Sequence, residues 1–283
     1  MPHNIYRIGT RGSELALKQA ALVSRALGAD DASLSTEIAV IMTSGDRLSG
    51  DQTGVRDKKE WIAEIEESLL QGEIELAVHS AKDVPLDIAP GTVLVPVLKR
   101  ECPFDVYLTK MPDRSENVPA LPYFPRGSCV ATASSRRRAQ LLHLRRDLSV
   151  VPLRGNVPTR LAKFRASNEI SGLVLAGAGL VRLGLSDEIH GYFSAAEILP
   201  AVNQGILLVQ MRRDDEKLYE HVLRLVDRAT FFCWSAERSF IRVLGADCNS
   251  AVGVLAEIEG GLMRITARVL SSDGRICLER DLS

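Results

Sequence analysis

Short apolar runs alternate along the chain with stretches whose apolar residues recur every three or four positions. Residues 5–9 read as a strand. Ser13 is a natural N-cap for a helical segment that Gly28 is expected to stop. Residues 36–43 are rich in β-branched side chains and predict a second strand. Residues 44–57 are polar, with three glycines, and read as a mobile loop. Trp61, Ile62, Ile65 and Leu69 then recur at helical spacing and predict a helix over residues 58–70. Strands follow at 74–78 and 93–98. A second βα series has strands at 129–134, 150–153 and 173–176, with helices over 135–144 and from 157. Residues 199–213 return to an apolar run, two helices are expected over 214–227 and 230–244, and the tail from 251 alternates like a small antiparallel sheet. Strands alternating with helices imply βαβ units and mixed or parallel sheets. The weak symmetry of the two series suggests two similar α/β lobes with a cleft between them.

Composition narrows the reading. Hydrophobic residues make up 46% of 283 residues, enough apolar surface to exclude disorder. The longest uncharged stretch, residues 198–211, contains Pro200, Asn203, Gln204 and Gly205 and is too short for a membrane span, which needs about 20 apolar residues. No signal peptide is evident at the start, and the five cysteines show no C-x-x-C pair, so a reducing cytoplasm without a zinc site is expected. Charges nearly cancel, at 35 basic against 36 acidic, yet 27 of the basic residues are Arg and only 8 are Lys. Arg is favoured where planar, bidentate capture of carboxylate or phosphate matters. An anionic ligand in a neutral protein is the implication.

The placement of the basic residues supports it. In open α/β sheets, ligands bind beyond the carboxyl ends of the strands. Five expected strand ends deliver basic groups: Arg11, Lys82, Arg136 with Arg137, Arg154 with Arg160, and Arg182. One of them also delivers a carboxylate, Asp83, which among guanidiniums would stay ionised and could stabilise a developing cation or move a proton. The bland alternative for Asp83 is a turn cap before Pro85. Cys248 lies in an expected loop, where a thiol is more accessible than Cys233 within its apolar run. His79 has no evident Ser or Cys partner and reads as structural.

Five motifs in order resemble one family. Arg7-Ile8-Gly9-Thr10-Arg11-Gly12-Ser13-Glu14-Leu15-Ala16-Leu17, with Gln19, is similar to the opening signature of the porphobilinogen deaminases (hydroxymethylbilane synthases). Ala77-Val78-His79-Ser80-Ala81-Lys82-Asp83-Val84-Pro85 is similar to their catalytic segment. Leu153-Arg154-Gly155-Asn156-Val157-Pro158-Thr159-Arg160-Leu161, the segment from Ala178 to Leu185, and Leu199-Pro200-Ala201-Val202-Asn203-Gln204-Gly205 resemble three more.

The resemblance implies head-to-tail joining of four porphobilinogen units, with loss of ammonia, to hydroxymethylbilane in tetrapyrrole and haem biosynthesis. It implies a transferase built on a dipyrromethane cofactor held by a thioether to Cys248. It also implies that Asp83 assists ammonia loss and stabilises the cationic pyrroles. Lys82, Asp83, Thr132, Ser134, Arg136 and Arg137 would hold the cofactor. Arg11, Ser13, Gln19, Arg154, Arg160, Arg182 and Gln204 would hold the substrate and growing chain, and residues 44–57 would form a lid. The implied fold has two periplasmic-binding-protein-like lobes, residues 1–98 with 199–213 and residues 99–198, and a small α+β third domain, residues 214–283. A monomer without nucleic-acid or membrane partners is implied.

The chain departs from the family pattern around the cysteine, where Asp247 precedes Cys248 and Asn249 follows it. Ala133 stands where a serine is usual, and Ser135 where a leucine is usual. A catalytically impaired homologue and an anionic-solute-binding protein of the same two-lobe fold are the competing readings. A nucleic-acid binder fits less well, because the chain is neutral and poor in aromatics.

Overall fold

The computed structural model describes residues 5–43, 62–110, 124–245 and 250–283. Cys248, the expected lid at 44–57 and the first residues of the expected helix at 58–70 lie outside the described residues. The chain divides into two compact units, Met1–Glu101 with Ile206–Ser235, and Cys102–Gly205 with Ala236–Ser283.

The first unit is built on a five-stranded mixed sheet. Strands β1 (Ile5–Thr10), β2 (Ser35–Val40), β3 (Leu76–Ser80), β4 (Thr92–Val97) and β10 (Leu207–Arg212) lie in the order β2-β1-β3-β10-β4. β1 runs parallel to β2 and β3, and β10 is antiparallel to both β3 and β4. The carboxyl ends of β1 to β4 therefore share one edge with the start of β10.

Helix α1 (Glu14–Asp30) follows β1 and buries Ala20, Val23 and Leu27 at helical spacing. The helix runs through Gly28, where the sequence pattern predicts a stop. It ends instead at Asp31, whose carboxylate accepts from the Ser33 N–H at 2.9 Å in an Asx turn. Helix α2 (Ala63–Leu70) packs Ile65 and Leu69 against Ile74 and Ala77. The main core joins Ile8, Leu76, Val209 and Met211 of the sheet to Val23 and Leu27 of α1 and to Leu218 and Val222 of α6 (Glu216–Arg224). Each such side chain contributes about 1.5–3 kcal/mol when removed from water.

The second unit carries β5 (Asp105–Thr109), β6 (Cys129–Ala131), β7 (Ser149–Val151), β8 (Gly172–Ala176) and β9 (Gly191–Tyr192), in the order β7-β6-β8-β5-β9. β6 is parallel to β7 and β8, whereas β5 is antiparallel to β8 and pairs Asp105 with Ala176. Helices α3 (Ser135–Leu144), α4 (Val157–Ala166) and α5 (Gly177–Leu183) follow β6, β7 and β8. Three helix N-termini and the first residue of β5 thus gather at one sheet edge. Tyr107, Phe124, Leu141, Val174 and Phe193 form the core beneath it, with Tyr107 and Phe124 edge to face at 5.8 Å.

Helix α7 (Arg228–Leu244) carries the boundary between the units, at Ser235 and Ala236. Beyond it, β11 (Ala251–Glu259), β12 (Leu262–Leu270) and β13 (Cys277–Leu282) form the small antiparallel sheet expected from the alternation. Gly260 and Gly261 both take positive φ at the β11–β12 turn, the conformation a two-residue hairpin needs.

This sheet is fastened inside the second unit. Ala251, Leu270 and Cys277 pack on Ala139 of α3. The buried Arg268 donates to the Ala196 and Glu197 carbonyls, at 2.9 and 3.1 Å, and to Gln140 Oε1 at 2.8 Å. β11 approaches Leu199 so closely that a Cβ on Gly253 would lie 2.8 Å from its carbonyl oxygen.

Candidate functional site

The ligand edge of the first unit begins where β1 ends. Thr10 is buried, and its hydroxyl donates to the Ala16 carbonyl at 3.3 Å. Ser13 Oγ accepts from the Ala16 N–H at 3.3 Å and so caps α1. Gln19, one turn further and buried, holds the Ser80 hydroxyl with its side-chain amide at 2.9 Å. β3 runs out at Ser80 into a single 3-10 turn, Ala81–Asp83, anchored by the Ala81 N–H on the Ile206 carbonyl. Arg11, Ser13, Gln19, His79, Ser80 and Asp83 line one open pocket, so four sequence-expected residues from two separate segments converge there. Lys82 sits in the same turn, half-buried.

Two titratable groups at this edge differ in kind. Asp83 is exposed and accepts no hydrogen bond from any described residue. It ends the 3-10 turn before Pro85, which is closed by the backbone Val84 N–H on the Ala81 carbonyl and not by the Asp83 side chain, so among the described residues nothing caps its carboxylate. His79 is buried, with Nε2 at 3.1 Å from Gln210 Oε1. Burial pushes it down to about 4, the repulsion from Arg11 adding to this and the Gln210 bond and Asp83 opposing it. The imidazole is neutral near pH 7 and plays the structural part that the sequence suggests. Gln210 passes the contact on, donating to Glu66 at 2.7 Å and to Thr92 at 2.9 Å.

The second unit gathers its residues around a carboxylate of its own. Thr132 is buried after β6, and its hydroxyl accepts from the Ser134 N–H at 3.3 Å. Ser134 caps α3 by accepting from the Arg137 N–H at 3.4 Å. Arg136 and Arg137 follow in the first turn, only 4% and 5% exposed. Both turn onto Asp105, which is fully buried. Arg136 Nη2 lies 2.7 Å from Oδ2, while Arg137 Nη2 and Nε lie 2.7 and 3.0 Å from Oδ1. Gln204 Nε2 donates to the same Oδ1 at 2.9 Å and to the Pro103 carbonyl at 2.6 Å. Burial would raise the Asp105 carboxyl, but the two guanidiniums and the Gln204 amide outweigh it and hold the group far below the usual carboxylate range.

Asp105 is the residue that sequence reasoning misses. Its signal was an aspartate opening an otherwise apolar strand, a place that residue type avoids. The remaining expected residues sit at the same edge with varied exposure. Arg154 is exposed after β7. Asn156 caps α4, and Arg160 is half-buried one turn along that helix. Arg182 donates to the Gly205 carbonyl at 2.7 Å, which ties α5 to the return segment. Asn203, with φ at +60°, is buried beside it, and its N–H donates to Glu237. Arg138, at the margin of the basic set, donates to Ser272 and so belongs to the fastening of the small sheet.

Comparison with known proteins gives these edges a context. Residues 6–220 match the family model for the dipyrromethane cofactor binding domain of porphobilinogen deaminase, and residues 231–281 match its C-terminal domain. Porphobilinogen deaminase of Syntrophomonas wolfei is 40% identical over 95% of this chain and 86% of its own length. The Rubrobacter xylanophilus protein of the same name is 42% identical over 94% of this chain and 85% of its own. That of Thermus thermophilus is 38% identical over 97% and 88%. Among solved structures, an ancestral cationic amino acid solute binding protein overlaps 85% of this chain and 91% of its own at 11% identity, with a TM-score of 0.47. The chain belongs to the porphobilinogen deaminase family and carries its dipyrromethane cofactor binding domain.

Proposed function

We propose that this chain joins four porphobilinogen molecules head to tail, releasing one ammonia per addition, to give hydroxymethylbilane. It is a transferase, working on a dipyrromethane held by a thioether to Cys248 Sγ. It acts as a cytoplasmic monomer, without nucleic-acid or membrane partners. The observation that carries this reading is Asp83, an exposed carboxylate free of hydrogen bonds from described residues, on the same pocket as Arg11 and the Gln19–Ser80 pair.

The donor set suits a dipyrromethane, whose four carboxylates need cations. Arg136 and Arg137 exceed Asp105 by one positive charge, and Arg136 Nε is a buried donor without a hydrogen-bond partner. When bound, the dipyrromethane supplies the pyrrole carbon from which the product chain grows. Lys82, Thr132, Ser134, Arg136 and Arg137 are assigned to its carboxylates. Arg11, Ser13, Gln19, Arg154, Arg160, Arg182 and Gln204 are assigned to the acetate and propionate groups of the substrate and lengthening chain. These groups bind and orient, since Arg presents a planar fork that matches a carboxylate.

Asp83 does the chemistry. Loss of ammonia from the substrate's aminomethyl carbon leaves a cation spread over the pyrrole ring. A carboxylate about 4 Å from such a cation is worth about 4 kcal/mol at the effective dielectric of a partly exposed site. The same carboxylate can take the proton released when the new bond forms.

The test is an intact-mass spectrum of the denatured protein after exposure to porphobilinogen. The wild type should carry a two-pyrrole adduct that the Cys248→Ser protein lacks. An unmodified wild-type mass would rule the assembly out.

A further inference from the structure

In the second unit, Arg136 and Arg137 converge on one interior carboxylate, Asp105. Asp105 separates them: Oδ2 takes Arg136, and Oδ1 takes Arg137 and Gln204. Arg136 is steadied from its other end by Nη1 on the Leu199 carbonyl at 2.5 Å. Arg137 Nη1 reaches the Val174 carbonyl at 3.3 Å. Each guanidinium is therefore fixed in plane and direction by two anchors, one of which they share.

The arrangement is not electrically closed. Two guanidiniums face one carboxylate, and no other acidic group among the described residues pairs with either of them. They stand in the first turn of α3, where the helix dipole adds further positive potential. Arg136 Nε is buried without a hydrogen-bond partner, a cost with nothing gained in a finished structural ion pair. A group with one spare positive charge and one spare donor is half of a binding site.

We propose that Asp105 is a positioning residue for dipyrromethane loading: it holds Arg136 and Arg137 apart and oriented so that together they take one cofactor carboxylate. The assignment rests on the function proposed above. Asp105 itself touches no ligand. Its part is to convert two mutually repelling cations into a rigid acceptor of net charge about +1, which a single carboxylate neutralises. Without it, burial and the neighbouring guanidinium both work against Arg136, and Asp105 is the group that opposes them.

The experiment uses the full chain, expressed in cells that make no porphobilinogen and then mixed with porphobilinogen. The rate at which the intact mass gains two pyrrole units is compared with the thermal midpoint of the same sample. The wild type must load; a wild type that never gains mass overturns the proposed function, and the positioning role with it. Asp105→Asn is expected to melt lower and, in its folded fraction, to load roughly tenfold more slowly or worse, the size of loss that partners behind a binding group commonly carry. Folded Asp105→Asn that loads at the wild-type rate overturns the proposal alone and reduces Asp105 to a structural tie.

If Asp105→Asn does not fold, Asp105→Glu decides. It keeps the charge and displaces it by one methylene. Slow loading at near-wild-type stability supports positioning, and wild-type loading shows that charge balance suffices and overturns it.

Discussion

Asparagine at position 83 would keep the shape and polarity of the side chain and remove only its charge. Because Asp83 is exposed and bonds to no described residue, Asp83→Asn should fold with a nearly unchanged melting temperature. It should still bind substrate, since the arginines are untouched. Its kcat should fall by about a thousandfold, the rate equivalent of the roughly 4 kcal/mol that the carboxylate offers a developing cation. Steady-state kinetics showing near-normal kcat would remove Asp83 from the chemistry.

His79 has the opposite signature. Its burial holds it at about 4 against 6.5 when free, so protonation favours the unfolded chain. Its stabilising contribution is complete above about pH 6.5 and is lost as the pH falls towards 4. The loss is on the order of 3 kcal/mol over that window. Asp105 adds little to this slope, because its contribution is lost mainly below about pH 4, where the unfolded chain's aspartate takes a proton that the native carboxyl, held far lower by the two guanidiniums, does not. Unfolding free energies of His79→Gln between pH 6.5 and 4 should therefore vary less steeply than those of the wild type. Equal slopes would place the acid sensitivity elsewhere.

At the level of elements, local signals are reliable where one residue decides the geometry. Ser13, Ser134 and Asn156 are N-caps that can be picked out from their residue type, and each accepts from a first-turn N–H. Gly28 misleads, because a glycine ends a helix only when the next residues do not continue it, and the Asx turn at Asp31 supplies a stronger stop. The alternation of the tail is legible as a hairpin sheet, but its attachment is not. That depends on Gly253, where backbone meets backbone. A methyl group at this position would lie 2.8 Å from the Leu199 carbonyl oxygen and 2.9 Å from its Cβ, with no flexible side-chain end to give way. Gly253→Ala should cost about 1–3 kcal/mol and lower the melting temperature by several degrees. An unchanged melting curve would mean that β11 can lift off Leu199 at no cost.

Across the whole molecule, what could be read from sequence was composition, order and the polar residues at strand ends. Arg11, Ser13, Gln19 and Asp83 gather on one pocket because βα geometry forces strand ends to a common edge. The short strand β5 escapes notice, since three apolar residues between Asp105 and Thr109 carry no clear period. With β5 goes Asp105, and with Asp105 the fact that Arg136 and Arg137 are interior groups rather than cations on a helix face. Pairing across long separations has no local signature, so neither the Arg268 fastening nor the Gln204–Asp105 bond could be foreseen.

The position of β10 also bears on how the chain comes to be folded. Residues 207–212 fill the gap between β3 and β4, more than a hundred positions after both were made. The strands of the second sheet, by contrast, all fall between residues 105 and 192. During synthesis that sheet can close while β3 and β4 still show open backbone edges to water. Open edges invite pairing with other chains until the native partner arrives. Ribosomes that pause before residue 207 would lengthen that exposure, and a chaperone that shields strand edges would matter most in this interval.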